Sequence, residues 1–297
     1  KMAKRINRCI DLMEAGHPIY YTAAGELTYE NGKEQAQTWA DFLIVDFEKD
    51  PFDVVGLNQF MQGIVDGGPT PDGYRMATVL ATLPANAKTR NEVEANAWQV
   101  RHVLSAGIHG ILHTHARQAD AVQAFVEQVR WPFQTIGVGR DGGLGQGQRG
   151  AGGQAKPAAR WGMTPQEYTR VSDPWPLNPN GELILGLKLE DRECVANAEF
   201  TAAVPGISFA EWGPGDMGMS YGFSDAHDPP YPEEMDQARL KVRAACDKAG
   251  IGFLCSWHDP NMSEEENLKY MLDWGVKVIS GGNSAVKEMG LKILPRT

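Results

Sequence analysis

Short apolar runs recur along the chain at strand length, each followed by a stretch whose apolar positions fall three or four apart. The runs are HPIYYTA, DFLIVDF, RMATVLATL and GILHTH, then ELILGLKLE, GISFAEWG, IGFLCSW and VKVISGG. All are rich in β-branched or aromatic residues, as strands are. Between them PFDVVGLNQFMQGIVDG, EVEANAWQVRHVLSAG, QADAVQAFVEQVRW, EMDQARLKVRAACDKAG and SEEENLKYMLDWG carry helical spacing. Eight strands alternating with helices predict an α/β fold with a parallel sheet closed as a (β/α)8 TIM barrel; an open doubly wound sheet is the alternative. At the start, Ile6, Ile10, Leu12 and Met13 have roughly helical spacing and the pattern stops at Gly16. This predicts a helix that plugs one end of the barrel.

One segment breaks the rhythm. Residues 137–160, GVGRDGGLGQGQRGAGGQAKPAAR, are dominated by Gly, Gln and Arg, a composition that predicts no packed element. The segment reads either as a surface linker or as an active-site lid or subunit-contact loop. Its glycines lack the flanking strand and helix of a dinucleotide site.

Length and charge then narrow the function. With 297 residues, 42% of them hydrophobic, residues 1–297 suit a single barrel domain. A net charge of -10 argues against a nucleic acid partner, which needs clustered Lys and Arg, and for a small-molecule substrate. The scattered Cys9, Cys194, Cys246 and Cys255 form no disulfide framework. No apolar run has membrane-spanning length, and the opening residues are too charged for a signal peptide. The expectation is a cytoplasmic protein with no membrane partner.

In such barrels the working residues stand where strands end, at the carboxyl face. There LGLKLE closes on Glu190, and FAEWGPGDMGMSYGF puts Asp216 on the turn after the next strand. Carboxylates from neighbouring strand tips can share one hard divalent cation; the bland alternatives are a capping Glu and a turn Asp. Gly213, Pro214 and Gly215 build a tight turn with little side-chain bulk, which lets backbone amides approach an anionic ligand. GILHTH adds His113 and His115. Two positions apart on a strand, they are expected to face the same side. If that side is the interior they can serve the substrate or the metal; otherwise they are structural. His258 after the seventh strand is a weaker candidate, while His17, His102, His109 and His227 read as peripheral. Trp212, Trp257, Tyr221 and Phe223 frame the same face, pointing to an aromatic substrate or simply to core packing.

The stretch LKLEDRECVANAEFTAAVPGISFAEWGPGDMGMSYG, together with IVDFEKDPFD and AGIHGIL, resembles the metal-dependent HpcH/HpaI aldolases. The resemblance is sharpest over residues 190–222 and extends loosely over about residues 1–295. It implies a TIM barrel, Glu190 and Asp216 as metal ligands, and a homo-oligomer, trimer or hexamer. The chain also departs from the family. Where relatives carry a catalytic His after an Asp-x-Glu run, it has Lys49 after Asp46 and Glu48, and where relatives clamp a 2-oxo acid with Arg, it has Thr82.

These features predict a retro-aldol carbon–carbon lyase. Glu190 and Asp216 would hold the metal (Mg, Mn, Co or Zn), and His113, His115 or Lys49, with Asp46, would move the proton. Glu48, Thr82, Trp212, Gly213, Pro214, Gly215, Trp257 and His258 would surround the substrate. Loss of the Arg tilts the substrate towards a hydroxymethyl-bearing aromatic, such as a lignin dimer, that releases formaldehyde. The alternatives are a 4-hydroxy-2-oxo acid aldolase giving pyruvate and an aldehyde, and a non-catalytic barrel used for binding or assembly.

Overall fold

A computed structural model describes residues 5–139 and 143–297. Its strands are β1 (Ile19–Ala23), β2 (Phe42–Val45), β3 (Thr78–Ala81), β4 (Gly110–His113), β5 (Pro174–Trp175), β6 (Leu183–Lys188), β7 (Phe209–Trp212), β8 (Gly252–Cys255) and β9 (Val278–Ser280). All pair in parallel, in the order β4-β3-β2-β1-β9-β8-β7-β6-β5. The additional β4–β6 pairing closes eight of them into a ring. Each of the eight lies inside one of the apolar runs, so the closed barrel holds over the open sheet. Only β5 was not signalled. It spans two residues and pairs with the foot of β6, where Pro174 meets Leu183.

The helices are α1 (Arg8–Glu14), α2 (Tyr29–Gln35), α3 (Val54–Asp66), α4 (Arg90–Ala95), α5 (Ala97–Ser105), α6 (Ala119–Val129) and α7 (Ala155–Trp161). After these come α8 (Pro165–Val171), α9 (Arg192–Ala202), α10 (Pro214–Tyr221), α11 (Glu233–Ala249), α12 (Glu264–Asp273) and α13 (Ala285–Ile293). No helix among the described residues is long and apolar enough to cross a membrane.

Alternation along the strands divides the core in two. Ile19, Phe42, Leu80, Leu112, Ile184, Phe209, Leu254 and Val278 fill the barrel interior. The opposite faces meet the surrounding helices in a larger outer core. The Phe209 ring crosses the lumen against Gly186, where an added Cβ would lie 2.4 Å from it. Helix α1 is the plug that the opening pattern predicts. Its Cys9 and Ile10 are fully buried in the inner cluster. Buried Asn7 accepts from the Cys9 amide and donates to the carbonyls of His109 and Glu182, which ties the plug to the feet of β4 and β6.

Segment 137–160 differs from expectation. Residues 140–142 lie outside the described residues, but much of the remainder is packed. Ala155–Trp161 forms α7, in which Pro157, Ala158, Arg160 and Trp161 are buried. Three alanines favour the helix, and the Arg160 guanidinium caps carbonyl oxygens of Ala106 and Asn58. Upstream, the Gly145 amide donates to Glu127, and Arg149 lies 4.3 Å from the Trp131 ring while donating to the Tyr168 hydroxyl. Arginine satisfied by carbonyls and aromatic faces packs where composition alone reads solvent.

Candidate active site

Strand alternation places Ile184, Gly186 and Lys188 on the inward face of β6 and carries the register to Glu190, just past the strand. On β7 the same period turns Phe209 and Glu211 inward. Lys188 and Glu211 are direct neighbours in the parallel register. Charge therefore gathers at the carboxyl mouth, directly above the apolar lumen.

Lys188 Nζ stands 2.7 Å from a Glu48 carboxylate oxygen and 3.6 Å from Glu190. Burial works against its ammonium, but Glu211, Glu190 and Glu48 outweigh burial and hold its pKa above the ordinary lysine value. Glu190 is 2% exposed, and its Oε2 makes no hydrogen bond. Burial, then the charges of Glu211 and Asp216, push its pKa well up in spite of Lys188. Glu211 is raised for the same leading reason. Glu190 Oε2 has the Lys188 ammonium at 3.6 Å but no hydrogen bond, and a buried carboxylate so thinly satisfied is costly unless further positive charge completes it.

Helix α10 brings in Asp216. Gly213 is its N-cap, Pro214 its first residue, and Asp216 falls in the first turn, where the helix dipole favours negative charge. Gly213 is required by contact: an added Cβ would lie 2.0 Å from Glu190 Oε1. Gly215 has no such constraint, its nearest neighbour being His227 at 3.7 Å. Side-chain donors of Glu48, His115 and Asp216 lie within 4.8 Å of one another. Glu48 and Asp216, with the buried Glu190 near enough to feel both charges, are carboxylates that fit a divalent cation, and the His115 imidazole stands at the edge of the set.

His115 has a left-handed backbone, φ 46°, where β4 gives way to its loop. Its Nδ1 lies 2.9 Å from Asp191 Oδ2, which also accepts from Arg117 Nε at 3.0 Å. Burial opposes the Asp191 charge, but the bonds from His115, the Cys194 amide and Arg117 prevail and hold its pKa below the usual range.

His113 does not join this group. It faces outward from β4, with its ring edge-on to Phe125 of α6 at 4.7 Å. Burial pushes its pKa down to about 3, and its Nδ1 has no partner. The expectation that both histidines share a side fails because the strand ends at His113, and the left-handed turn redirects His115. Lys49 is exposed at the rim. Asp46 accepts from the Thr82 hydroxyl at 2.9 Å and the Glu48 amide at 3.1 Å, so it fixes the loop that carries Glu48. Thr82 is 2% exposed and engaged at both ends, also accepting from the Glu48 amide.

The predicted aromatic frame is largely self-contained. Trp212 is fully buried against Tyr231 in the outer core. Trp257 stacks on Tyr270 at 4.1 Å, with the Arg239 guanidinium 4.5 Å from its ring, while His258 is exposed. Arg192 covers the Tyr221 ring, and Phe223 packs on the outer core. A cleft of about 550 Å³ opens beside the mouth instead, between the ends of β1 and β2, lined by Leu27, Ile44, Val45, Asp46 and Phe47. Sequence reasoning passed over Lys188, Glu211 and Asp191. A charged residue within an otherwise apolar run was the available signal for the first two.

Comparison with known proteins identifies the family and the fold. The family model for HpcH/HpaI aldolase/citrate lyase matches residues 78–287. A 2-keto-3-deoxy-L-rhamnonate aldolase of Klebsiella pneumoniae is 27% identical over 224 residues, covering 74% of this chain and 73% of the relative. A hydroxypyruvate/pyruvate aldolase of Delftia acidovorans is 25% identical over 270 residues, covering 91% and 84%. Among solved structures, an HpcH/HpaI aldolase/citrate lyase family protein of Burkholderia cenocepacia superposes with a TM-score of 0.67 at 20% identity, covering 93% and 92%. That likeness speaks for the fold.

Proposed function

Because the chain belongs to the HpcH/HpaI aldolase/citrate lyase family and is a carbon–carbon lyase, we propose that its barrel mouth carries out a divalent-metal-dependent retro-aldol cleavage. The observation that carries this reading is the convergence of Glu48, His115 and Asp216 donors within 4.8 Å of one another, with the buried Glu190, whose Oε2 makes no hydrogen bond, close enough to feel the charges of Glu48 and Asp216. Glu190 and Asp216 would hold the ion, with Glu48 within reach of it. A bound divalent ion supplies positive charge to an oxygen that becomes negative as the bond breaks. His115 accepts the proton of the substrate hydroxyl. The oxygen pair closes to a carbonyl, the carbon–carbon pair moves into an enolate or its vinylogous equivalent, and the proton then returns from His115 to carbon. His113 and Lys49 take no part in this scheme, one being in the outer core and the other at the rim.

For substrate, the proposal is a hydroxymethyl-bearing aromatic in which the carbon carrying the hydroxymethyl group is conjugated to a carbonyl that receives the electron pair as an enolate, so that formaldehyde is released. Two observations support it: Thr82 is committed to Asp46 and Glu48 and offers no clamp for a carboxylate, and the cleft beside the mouth pairs an apolar wall of Leu27, Ile44 and Phe47 with the acidic Glu26, Asp46, Asp50 and Asp53, a lining that disfavours an anionic substrate. A second reading, cleavage of a 4-hydroxy-2-oxo acid to pyruvate, rests on the named activities of the relatives. The test is to incubate metal-loaded enzyme with both substrate classes and to measure formaldehyde and pyruvate by separate coupled dehydrogenases. Formaldehyde alone supports the first reading and pyruvate alone the second. Neither product, from protein that also binds no metal, would leave a non-catalytic barrel.

Residues 1–297 would act as one lyase domain, in the cytoplasm and as a homo-oligomer. Exposed Phe133, Phe200 and Met219 support the oligomer.

A further inference from the structure

We propose that Asp191, braced by Arg117, is a positioning residue that fixes the ring of His115 at the mouth, so that strand ends β4 and β6 supply the proton-handling pair absent after β2. This deepens the retro-aldol reading and rests on it for the role of His115.

Asp191 has no spare capacity for another task. Its Oδ1 accepts from the backbone amides of Glu193 and Cys194 at 3.0 and 2.9 Å, capping α9. Its Oδ2 accepts from Arg117 Nε and faces His115 Nδ1. The cluster His115, Asp191 and Cys194 has metal-ligand spacing, yet every Asp191 oxygen is taken and the Cys194 thiol is buried. A carboxylate can only accept, so the hydrogen of a neutral His115 ring sits on Nδ1 and the lone pair on Nε2. The backbone supports the same assignment. A left-handed φ is strained for a residue with a Cβ and persists where the surroundings impose it. Here the loop is pinned on both sides: the Ala116 amide donates to the Lys188 carbonyl, the Arg117 amide donates to the Ala87 carbonyl, and Asn197 donates to the Arg117 carbonyl.

Asp191→Asn separates positioning from mere structure. Asn caps a helix about as well as Asp, and the α9 amides would claim its carbonyl oxygen. Its amide N–H then faces His115 and forces the ring hydrogen onto Nε2. Metal-loaded enzyme with 15N-labelled histidine, His115 being assigned by its loss in His115→Gln, should show an Nδ1–H ring in the wild type and an Nε2–H ring in D191N. With whichever substrate is cleaved, kcat should fall by about 10²-fold or more at a KM within about threefold, the behaviour of a triad whose orienting carboxylate is lost. Arg117→Gln, which leaves the capping intact, should lower kcat by about tenfold. A wild-type Nε2–H ring, or folded D191N with kcat within about threefold of wild type, overturns the proposal. The tautomer is read without turnover. An Nδ1–H ring in an enzyme that cleaves neither substrate class would therefore sink the reaction reading and leave the orienting pair standing.

Discussion

Replacing Glu190 with Gln should reverse the stability order of wild type and variant according to whether metal is present. In the structure Glu190 is buried, its Oε2 makes no hydrogen bond and has only a long ion pair to Lys188, and Lys188 already has Glu48 at 2.7 Å and Glu211 beside it. The lost attraction to Lys188 at 3.6 Å is therefore small against the relief of a buried, unsatisfied charge, about 1–3 kcal/mol. The folded-state pKa is raised by burial and then by Glu211. The stability it contributes is thus present below its unfolded value and is lost as pH rises through the folded one. The advantage of E190Q should accordingly grow with pH. At roughly 2–4 °C per kcal/mol for larger domains, metal-stripped E190Q should melt about 2–12 °C above metal-stripped wild type at pH 8. With metal at about a hundredfold over its Kd, wild type gains about 2.7 kcal/mol by linkage, and the variant, having lost a ligand, gains little. Thermal melts at equal protein concentration, with chelator and with manganese or magnesium, measure both arms. A metal-stripped variant that melts below wild type would show that the carboxylate is already well satisfied and would refute the argument.

Further outcomes follow from the same geometry. Chelation should abolish cleavage and manganese or magnesium should restore it, as read by product release. Gly213→Ala should drive the Glu190 carboxylate aside, since its Cβ would lie 2.0 Å from Oε1; metal affinity measured by calorimetry should fall at least about tenfold while the circular dichroism stays unchanged. His113→Phe should leave kcat within about twofold and stability equal or higher, because the neutral ring packs edge-on against Phe125 and has an unpartnered Nδ1. His115→Asn, in contrast, should remove most activity. At the barrel foot, burial lifts Glu182 to about 7, so its contribution is present below the unfolded value and lost as pH rises through 7. Glu182→Gln should therefore stabilise the protein above pH 7, by at most about 3 kcal/mol, as read from denaturant midpoints across pH.

The barrel was legible because its strands announce themselves by composition and its helices by spacing, and all eight ring strands fall within the apolar runs. Glu190 and Asp216 were legible as strand-tip acids. Lys188 and Glu211 were not, although the period of two that carries Leu185 and Leu187 outward also turns Lys188 towards the lumen. Charges inside apolar strands are easily passed over when strands are read as packing units. His113 and His115 show the opposite error. The alternation rule applies only while the strand lasts, and no local residue marks the turn at His115 in the way a glycine would. Segment 137–160 misled because composition reports what a stretch prefers in isolation, whereas Arg149 and Arg160 find aromatic and carbonyl partners that only the fold provides.

Seated under the lumen, helix α1 turns hydrocarbon rather than solvent towards the underside of the charged mouth, because Cys9 and Ile10 join Leu112, Ile184, Phe209 and Leu254 in one buried apolar layer. Field lines from the acidic mouth, where Glu48, Glu190, Glu211 and Asp216 outnumber Lys188, are consequently pushed outward through the open end, the more so as pH rises and the buried acids ionise. An arriving cation would be drawn in from one side, and its capture should slow steeply as background electrolyte rises.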